Sequence, residues 1–253
     1  MNSRFEGKVV FITGAGSGLG RRSALSFATE GATVVAAGRD DEKTARTVEM
    51  IEENGGEASA VNVDVTDSAS VSDGLETVVR RHGSLDIAHN NAGVFPEPGA
   101  FADTAESTWH SAIAVNLTGV ALCMKHEINH MREHGGGAVV NVGSNIGDHA
   151  RFGGVGPYVA SKAGVSNMSR SAARDHIRDG IRINVVSPGA SDTDMTFLPG
   201  ETAEQRSARL TGGIPAGRLA DPGEIVAAVL WLASEEASFV VGHDLVVDGG
   251  ASA

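Results

Sequence analysis

Short apolar runs alternate with helix-length segments along this chain, and no other pattern in it restricts the fold as strongly. Residues 8–13, 33–37, 58–63, 85–89, 138–142, 181–186 and 245–247 read as buried strands. Between them, residues 18–30 read as a helix closed by Gly31, and 41–54 as one that stops at Gly55-Gly56. Asp67 or Ser68 caps a third that runs to His82. Residues 107–134 read as a long helix ended by Gly135-Gly136-Gly137, and 158–179 as another. Residues 222–233 follow, with Pro222 in the first turn. Strands separated by helices of this length specify an α/β architecture, a parallel sheet covered on both faces. No linker, repeat or low-complexity tract divides the chain, so residues 1–253 read as one domain. The longest irregular stretch, 189–217, with a short helix expected at 202–210, reads as the substrate loop.

The turn after the first strand is Thr13-Gly14-Ala15-Gly16-Ser17-Gly18-Leu19-Gly20. Glycine permits a tight turn and lets the backbone approach a pyrophosphate, and the helix that follows offers free N–H groups to that anion. Gly14, Ser17, Gly18, Leu19 and Gly20 are therefore candidate cofactor-binding residues. The spacing is G-x-x-x-G-x-G, and no window here satisfies G-x-G-x-x-G.

The second strand ends in Ala37-Gly38-Arg39-Asp40. An acidic residue there accepts from a free ribose hydroxyl, whereas a basic one suits a 2′-phosphate. Gly38 neither accepts nor repels, and Arg39 can form a charge-assisted fork with phosphate. This favours NADP(H). NAD(H) is the alternative, because Asp40 or Asp41 could neutralise Arg39 and Ser17 adds no charge. Asp64, beside Val65 at the end of the third strand, is either an acceptor for the adenine amino group or a turn aspartate. Asn90-Asn91-Ala92-Gly93 ends the fourth strand, where small and amide residues brace the sheet edge and leave room for a cofactor.

Tyr158-Val159-Ala160-Ser161-Lys162 places a phenol and an ammonium one turn apart on one helix face. A fixed ammonium favours the phenolate and is expected to lower the Tyr158 pKa, so that it can exchange a proton with a carbonyl or alcohol oxygen.

With Asn116, Ser144, Ser187-Pro188-Gly189 and the ending Val247-Asp248-Gly249-Gly250, these motifs stand in an order that resembles the classical short-chain dehydrogenase/reductase family across essentially the whole chain. The resemblance implies a single-domain Rossmann-type doubly wound sheet of about seven parallel strands. It implies Tyr158 as general acid in reduction and base in oxidation, with Lys162 lowering its pKa and binding the nicotinamide ribose. Ser144 would orient the substrate oxygen, Asn116 would hold a water that links Lys162 to solvent, and Pro188, Gly189 and Thr193 would cradle the nicotinamide end. It also suggests a homotetramer. One spacing departs from the family: thirteen residues separate Ser144 from Tyr158, where twelve are usual, and strict counting lands on Asn145. The frame Asn141-Val142-Gly143-Ser144 matches the family at Ser144, which puts the extra residue in the 148–156 loop.

The substrate implied is a small alcohol or ketone. Asp192-Thr193-Asp194-Met195-Thr196 and Ile214-Pro215-Ala216-Gly217-Arg218 resemble 3-oxoacyl-carrier-protein reductases, one alternative function. Another class, a catalytically silent dinucleotide-binding subunit, would usually lack the tyrosine or lysine. His149, Arg151 and Phe152 are either substrate contacts or solvated loop residues. A net charge of −12 argues against nucleic acid and anionic membranes as partners, and against an acidic carrier protein. Cys123 is the only cysteine, and His126 and His130, four apart, lack an evident third ligand, so no metal site is expected. No apolar stretch is long enough to span a bilayer and Met1–Glu6 shows no apolar signal core, so a cytoplasmic location is expected.

Overall fold

A computed structural model describes residues 3–198 and 200–253. Met1 and Asn2, at the start of the amino-terminal stretch, and Pro199, within the 189–217 loop, lie outside the described residues. The elements follow the order β1 (Val9–Thr13), α1 (Gly18–Thr29), β2 (Thr33–Gly38), α2 (Asp41–Glu53), β3 (Glu57–Asn62), α3 (Ser68–His82) and β4 (Ile87–Asn90). Then come α4 (Glu106–Ile113), α5 (Gly119–Glu133), β5 (Gly137–Val142), the short turn α6 (Asn145–Asp148), α7 (Gly156–His176), β6 (Ile181–Pro188), α8 (Ala203–Thr211), α9 (Pro222–Ala233) and β7 (Asp244–Val247). The seven strands pair in the order β3-β2-β1-β4-β5-β6-β7, all parallel.

Side-chain alternation along each strand feeds two cores. Val10 and Ile12 of β1, with Val34 and Ala36 of β2, pack against Phe27 of α1, Ile51 of α2 and Ile225, Val229 and Leu232 of α9. Val9, Phe11 and Val35 face the other way, toward Val71 and Val78 of α3, Met124 and Met131 of α5 and Val165 of α7. Both faces of the sheet are thus covered. No helix among the described residues is long and apolar enough to cross a membrane.

After β1 the chain winds outward through β2 and β3, then returns to the opposite side of β1 at β4. Such a reversal opens a crevice at the carboxyl ends of the strands. The glycine turn after β1 and the Asn90–Gly93 turn after β4 meet there: Asn91 Nδ2 donates to the carbonyls of Thr13 at 3.1 Å and Gly14 at 3.2 Å.

The helix expected at 107–134 is present, but it is not α-helical throughout. A π-helical turn, Ala114–Thr118, joins α4 to α5. Widened turns of this kind re-aim a side chain. Here the re-aimed side chain is Asn116, fully buried, whose Oδ1 accepts from the Val94 N–H at 2.8 Å while its Nδ2 donates to the Val94 carbonyl at 2.9 Å.

Behind the crevice lies a buried polar group that sequence reading missed. Glu127 Oε2 accepts from Asn90 Nδ2 at 2.9 Å, and the same Nδ2 donates to Asn141 Oδ1 at 2.9 Å. Glu127 Oε1 and Asn90 Oδ1 are both buried without partners. Burial raises the Glu127 pKa to about 8, against the bond from Asn90. A neutral carboxyl carries an O–H donor that a carboxylate lacks. The folded chain therefore holds this proton between the ordinary carboxylate value and about pH 8, and stability at this site falls as pH rises through that window. Glu127→Gln keeps the shape and supplies a permanent donor. Its unfolding free energy should exceed wild type by a margin that grows as pH rises toward 8, a few kcal/mol at about 1.4 kcal/mol per pKa unit. A margin independent of pH would show that Glu127 is ionised throughout.

Candidate active site

Glycine 14 is required by close approach: it has φ +66°, and a Cβ there would sit 2.9 Å from Ala92 Cα. Ser17 occupies the cap position of α1 but makes no side-chain cap bond, so the first-turn N–H groups of α1 remain available to an anion. Leu19 packs onto the first core and fixes the helix beneath the turn. This glycine cradle and uncapped helix end fit the pyrophosphate of a dinucleotide.

The cradle continues into a cleft of about 150 Å³ lined by Gly14, Gly38, Arg39, Asp64, Val65 and Gly93, among others. The residues expected at the adenosine end therefore do converge. Neither aspartate that clouded the sequence reading pairs with Arg39. Asp40 caps α2, accepting from the Lys43 N–H at 3.1 Å, and pairs with Lys43 Nζ at 3.2 Å. Asp41 accepts from Asn62 Nδ2 at 2.7 Å. Asp64 is partly a turn residue, since its Oδ1 accepts from the N–H and hydroxyl of Thr66 at 2.9 and 2.7 Å. Those bonds, joined by the Arg39 charge, hold its pKa below the usual value.

The residues expected to handle the proton lie where β5, α5 and α7 meet. Ser144, after β5, is nearly buried and lies beside the Tyr158 hydroxyl. Tyr158 and Lys162 sit one turn apart on α7, both buried. Lys162 Nζ donates to the Val142 carbonyl at 2.8 Å and lies 5.8 Å from the Tyr158 ring centroid. A Cβ on Gly93 would lie 3.3 Å from Asn116 Oδ1 and 3.7 Å from Lys162 Nζ, so these groups share one small space. Asn116 Nδ2 also reaches Ser161 Oγ at 3.3 Å.

The electrostatics correct one expectation. The Tyr158 pKa is raised, not lowered, because burial outweighs the bond from Ser144. The Lys162 ammonium is directed at the Val142 carbonyl, and burial brings its own pKa down to about 8. As it stands, the site holds a protonated phenol beside an ammonium at neutral pH, a donor state.

The structure also separates Ser144 from Asn145. Ser144 faces Tyr158, whereas Asn145 Nδ2 donates to Asp248 Oδ2 at 3.1 Å. Of the loop residues considered for substrate, His149 Nε2 pairs with Asp244 Oδ2 at 3.0 Å, and Arg151 reaches the carbonyls of Gly147 and Asp148, both at 3.3 Å. Phe152 is exposed.

On the far wall, Pro188 ends β6 and the Gly189 N–H donates to Val247 at 2.9 Å. Thr193 faces the glycine turn: a Cβ on Gly18 would lie 3.8 Å from it. Two further residues escaped the sequence reading. Phe95 rests edge-on against the Tyr158 ring, with centroids 4.8 Å apart. Arg206 of α8, nearly buried, stacks over Phe197 at 3.9 Å and bonds Asp192 and the Thr193 carbonyl, which ties α8 to the segment after β6. The only sequence hint was a cation on the one buried face of an otherwise polar short helix.

Comparison with known proteins agrees with this geometry. Residues 14–252 match a family model described as enoyl-(acyl carrier protein) reductase. The chain is 40% identical to a cis-4-hydroxycyclohexanecarboxylate dehydrogenase of Sinomonas cyclohexanicum, over 100% of both proteins. It is 38% identical to a 2,5-dichloro-2,5-cyclohexadiene-1,4-diol dehydrogenase of Sphingobium indicum, over 99% of this chain and 98% of the relative. Among solved structures it superposes on levodione reductase with a TM-score of 0.93 at 32% identity, over 98% of this chain and 99% of that one.

Proposed function

The chain belongs to the classical short-chain dehydrogenase/reductase family, whose members act on CH–OH groups with nicotinamide dinucleotides, and on that premise we propose that it interconverts a secondary alcohol and a ketone on a six-membered carbocycle, with NADP(H) as its cofactor. The observation that carries this reading is the meeting of Ser144, Tyr158 and Lys162 at the mouth of the glycine cradle. A bound nicotinamide supplies or accepts the hydride. Tyr158, protonated at neutral pH, donates to the carbonyl oxygen in reduction. Ser144 holds that oxygen in line with the phenol. In oxidation Tyr158 must accept the proton, and the ammonium of Lys162 offsets the negative charge that burial opposes. Phe95 covers one edge of the Tyr158 ring beside this exchange.

The carbocyclic substrate is supported by the named relatives and by the apolar Phe95 wall beside Tyr158. Substituted cyclohexanols should be oxidised with higher kcat/KM than linear secondary alcohols or 3-oxoacyl thioesters in the reverse direction. A preference for the thioester would move the protein to the acyl reductases.

NADP(H) is supported by an Arg39 that no carboxylate pairs within 4.0 Å among the described residues, in a cleft with glycine at position 38. A charge-assisted contact of about 1.5–3 kcal/mol corresponds to a preference of roughly tenfold to a hundredfold in kcat/KM, and Arg39→Ala should abolish it. Wild type preferring NAD(H), unchanged by Arg39→Ala, would show that Arg39 is merely solvated.

A further inference from the structure

The segment that carries Ser144 leaves the sheet at Gly143, whose N–H donates to the Val186 carbonyl of β6 at 2.8 Å. Sheet pairing of β5 ends at Val142, and the chain then runs through an irregular turn in which Ile146 and Gly147 leave helical geometry, Gly147 at φ 146°. The segment is also one residue longer than the family's usual spacing to the tyrosine. Local bonds close the turn on itself: Ser144 Oγ accepts from the Ile146 N–H at 3.2 Å, and the Ala150 N–H donates to the Asn145 carbonyl at 2.7 Å. They do not tie the part of the turn beyond Gly143 to the sheet.

An anchorage for that part comes from just beyond β7. Asp248 Oδ2 accepts from Asn145 Nδ2, the residue beside Ser144, at 3.1 Å. Its Oδ1 accepts from the Gly250 N–H at 3.0 Å, which locks the carboxylate's own orientation. On its other side Asp248 presses on the Pro188-Gly189 turn, where a Cβ at Gly189 would fall 2.6 Å from Asp248 Cβ. Asn145 is 7% exposed, so its amide has little water to fall back on. The far end of the turn has separate anchors, Arg170 to Asp148 at 2.7 Å and His149 to Asp244 at 3.0 Å.

We infer that Asn145 and Asp248 are positioning residues that hold Ser144 in register with Tyr158 and tie it to the turn at Gly189. The inference rests on the alcohol–ketone reading above. The tie lets a chain with an extra loop residue keep its serine in place, because the slack is taken up beyond Asn145. It also makes the two walls of the site one unit, so that the groups fixing the substrate oxygen do not drift from the turn opposite.

The test is steady-state kinetics with a cyclohexanol substrate, beside cofactor titration by fluorescence, on the holoenzyme. Asn145→Ala should lower kcat about tenfold, within the range that small misplacements cost, with cofactor Kd unchanged. Because it acts through the serine, Asn145→Ala should cost nothing further in a Ser144→Ala background. Asn145→Asp sets two carboxylates against each other, so its kcat should fall as pH rises where wild type does not. Wild-type kcat in Asn145→Ala overturns the inference, as does an equal loss with and without Ser144, which marks a merely structural role. If Tyr158→Phe is inactive while Asn145→Ala is silent, only this inference fails. If Tyr158→Phe is fully active, the reading of the site fails with it.

Discussion

Tyr158→Phe lowers kcat by about 10² to 10⁴, the range for loss of a general acid, and leaves cofactor Kd unchanged. The substitution removes one hydroxyl and keeps the ring. The ring's surroundings are apolar enough to accept it, with Phe95 edge-on at 4.8 Å and the phenol buried in the α7–β5 corner. The group lost is the hydroxyl beside Ser144, which then has no proton donor to align. No contact of the glycine cradle involves the hydroxyl, so dinucleotide affinity survives. Activity within threefold of wild type would remove Tyr158 from the chemistry.

Lys162→Ala acts on both binding and turnover, each falling roughly tenfold to a hundredfold, as expected for loss of charged hydrogen bonds. Its ammonium donates to the Val142 carbonyl at 2.8 Å, beside Gly93 and Asn116. Removing it leaves a buried carbonyl unpaired and takes away the charge that makes a phenolate tolerable. Burial brings the Lys162 pKa to about 8, so the ammonium is present below that pH and is lost above it. Wild-type kcat/KM for reduction should therefore decline above about pH 8, and the profile of Lys162→Ala should lack that limb. A variant with unchanged cofactor affinity and the same limb would place the titration elsewhere.

The parts of this site that are readable without coordinates are those encoded by local spacing. A glycine turn between a strand and a helix, or a tyrosine four residues before a lysine, is a statement about one or two turns of backbone. The alternation of elements then brings those turns to one edge of the sheet. What spacing does not carry is burial. Lys162 is correctly placed near Tyr158, yet nothing local reveals that the Val142 carbonyl takes its ammonium or that the phenol pKa rises. The π-helical turn at Asn116 is similarly silent, because one extra residue in a helix leaves no mark on composition. Counting residues left Ser144 and Asn145 in competition and the local frame chose Ser144; their surroundings differ, Tyr158 for one and Asp248 for the other. Asp40 and Asp41 looked like neighbours of Arg39 by sequence, but a helix cap and Asn62 claim them. Phe95 and Arg206 act across long loops, and long-range contacts of that kind have no local signature.

The central claim is hydride exchange between a carbocyclic secondary alcohol and a nicotinamide at Tyr158. The most direct measurement is isotope transfer: the protein is incubated with a cyclohexanol derivative deuterated at the carbinol carbon and with oxidised NADP, and the reduced cofactor is analysed by mass spectrometry. Deuterium should appear in the reduced nicotinamide with wild type and be nearly absent with Tyr158→Phe. Reduced cofactor without the label, or equal labelling by the two proteins, would contradict the account.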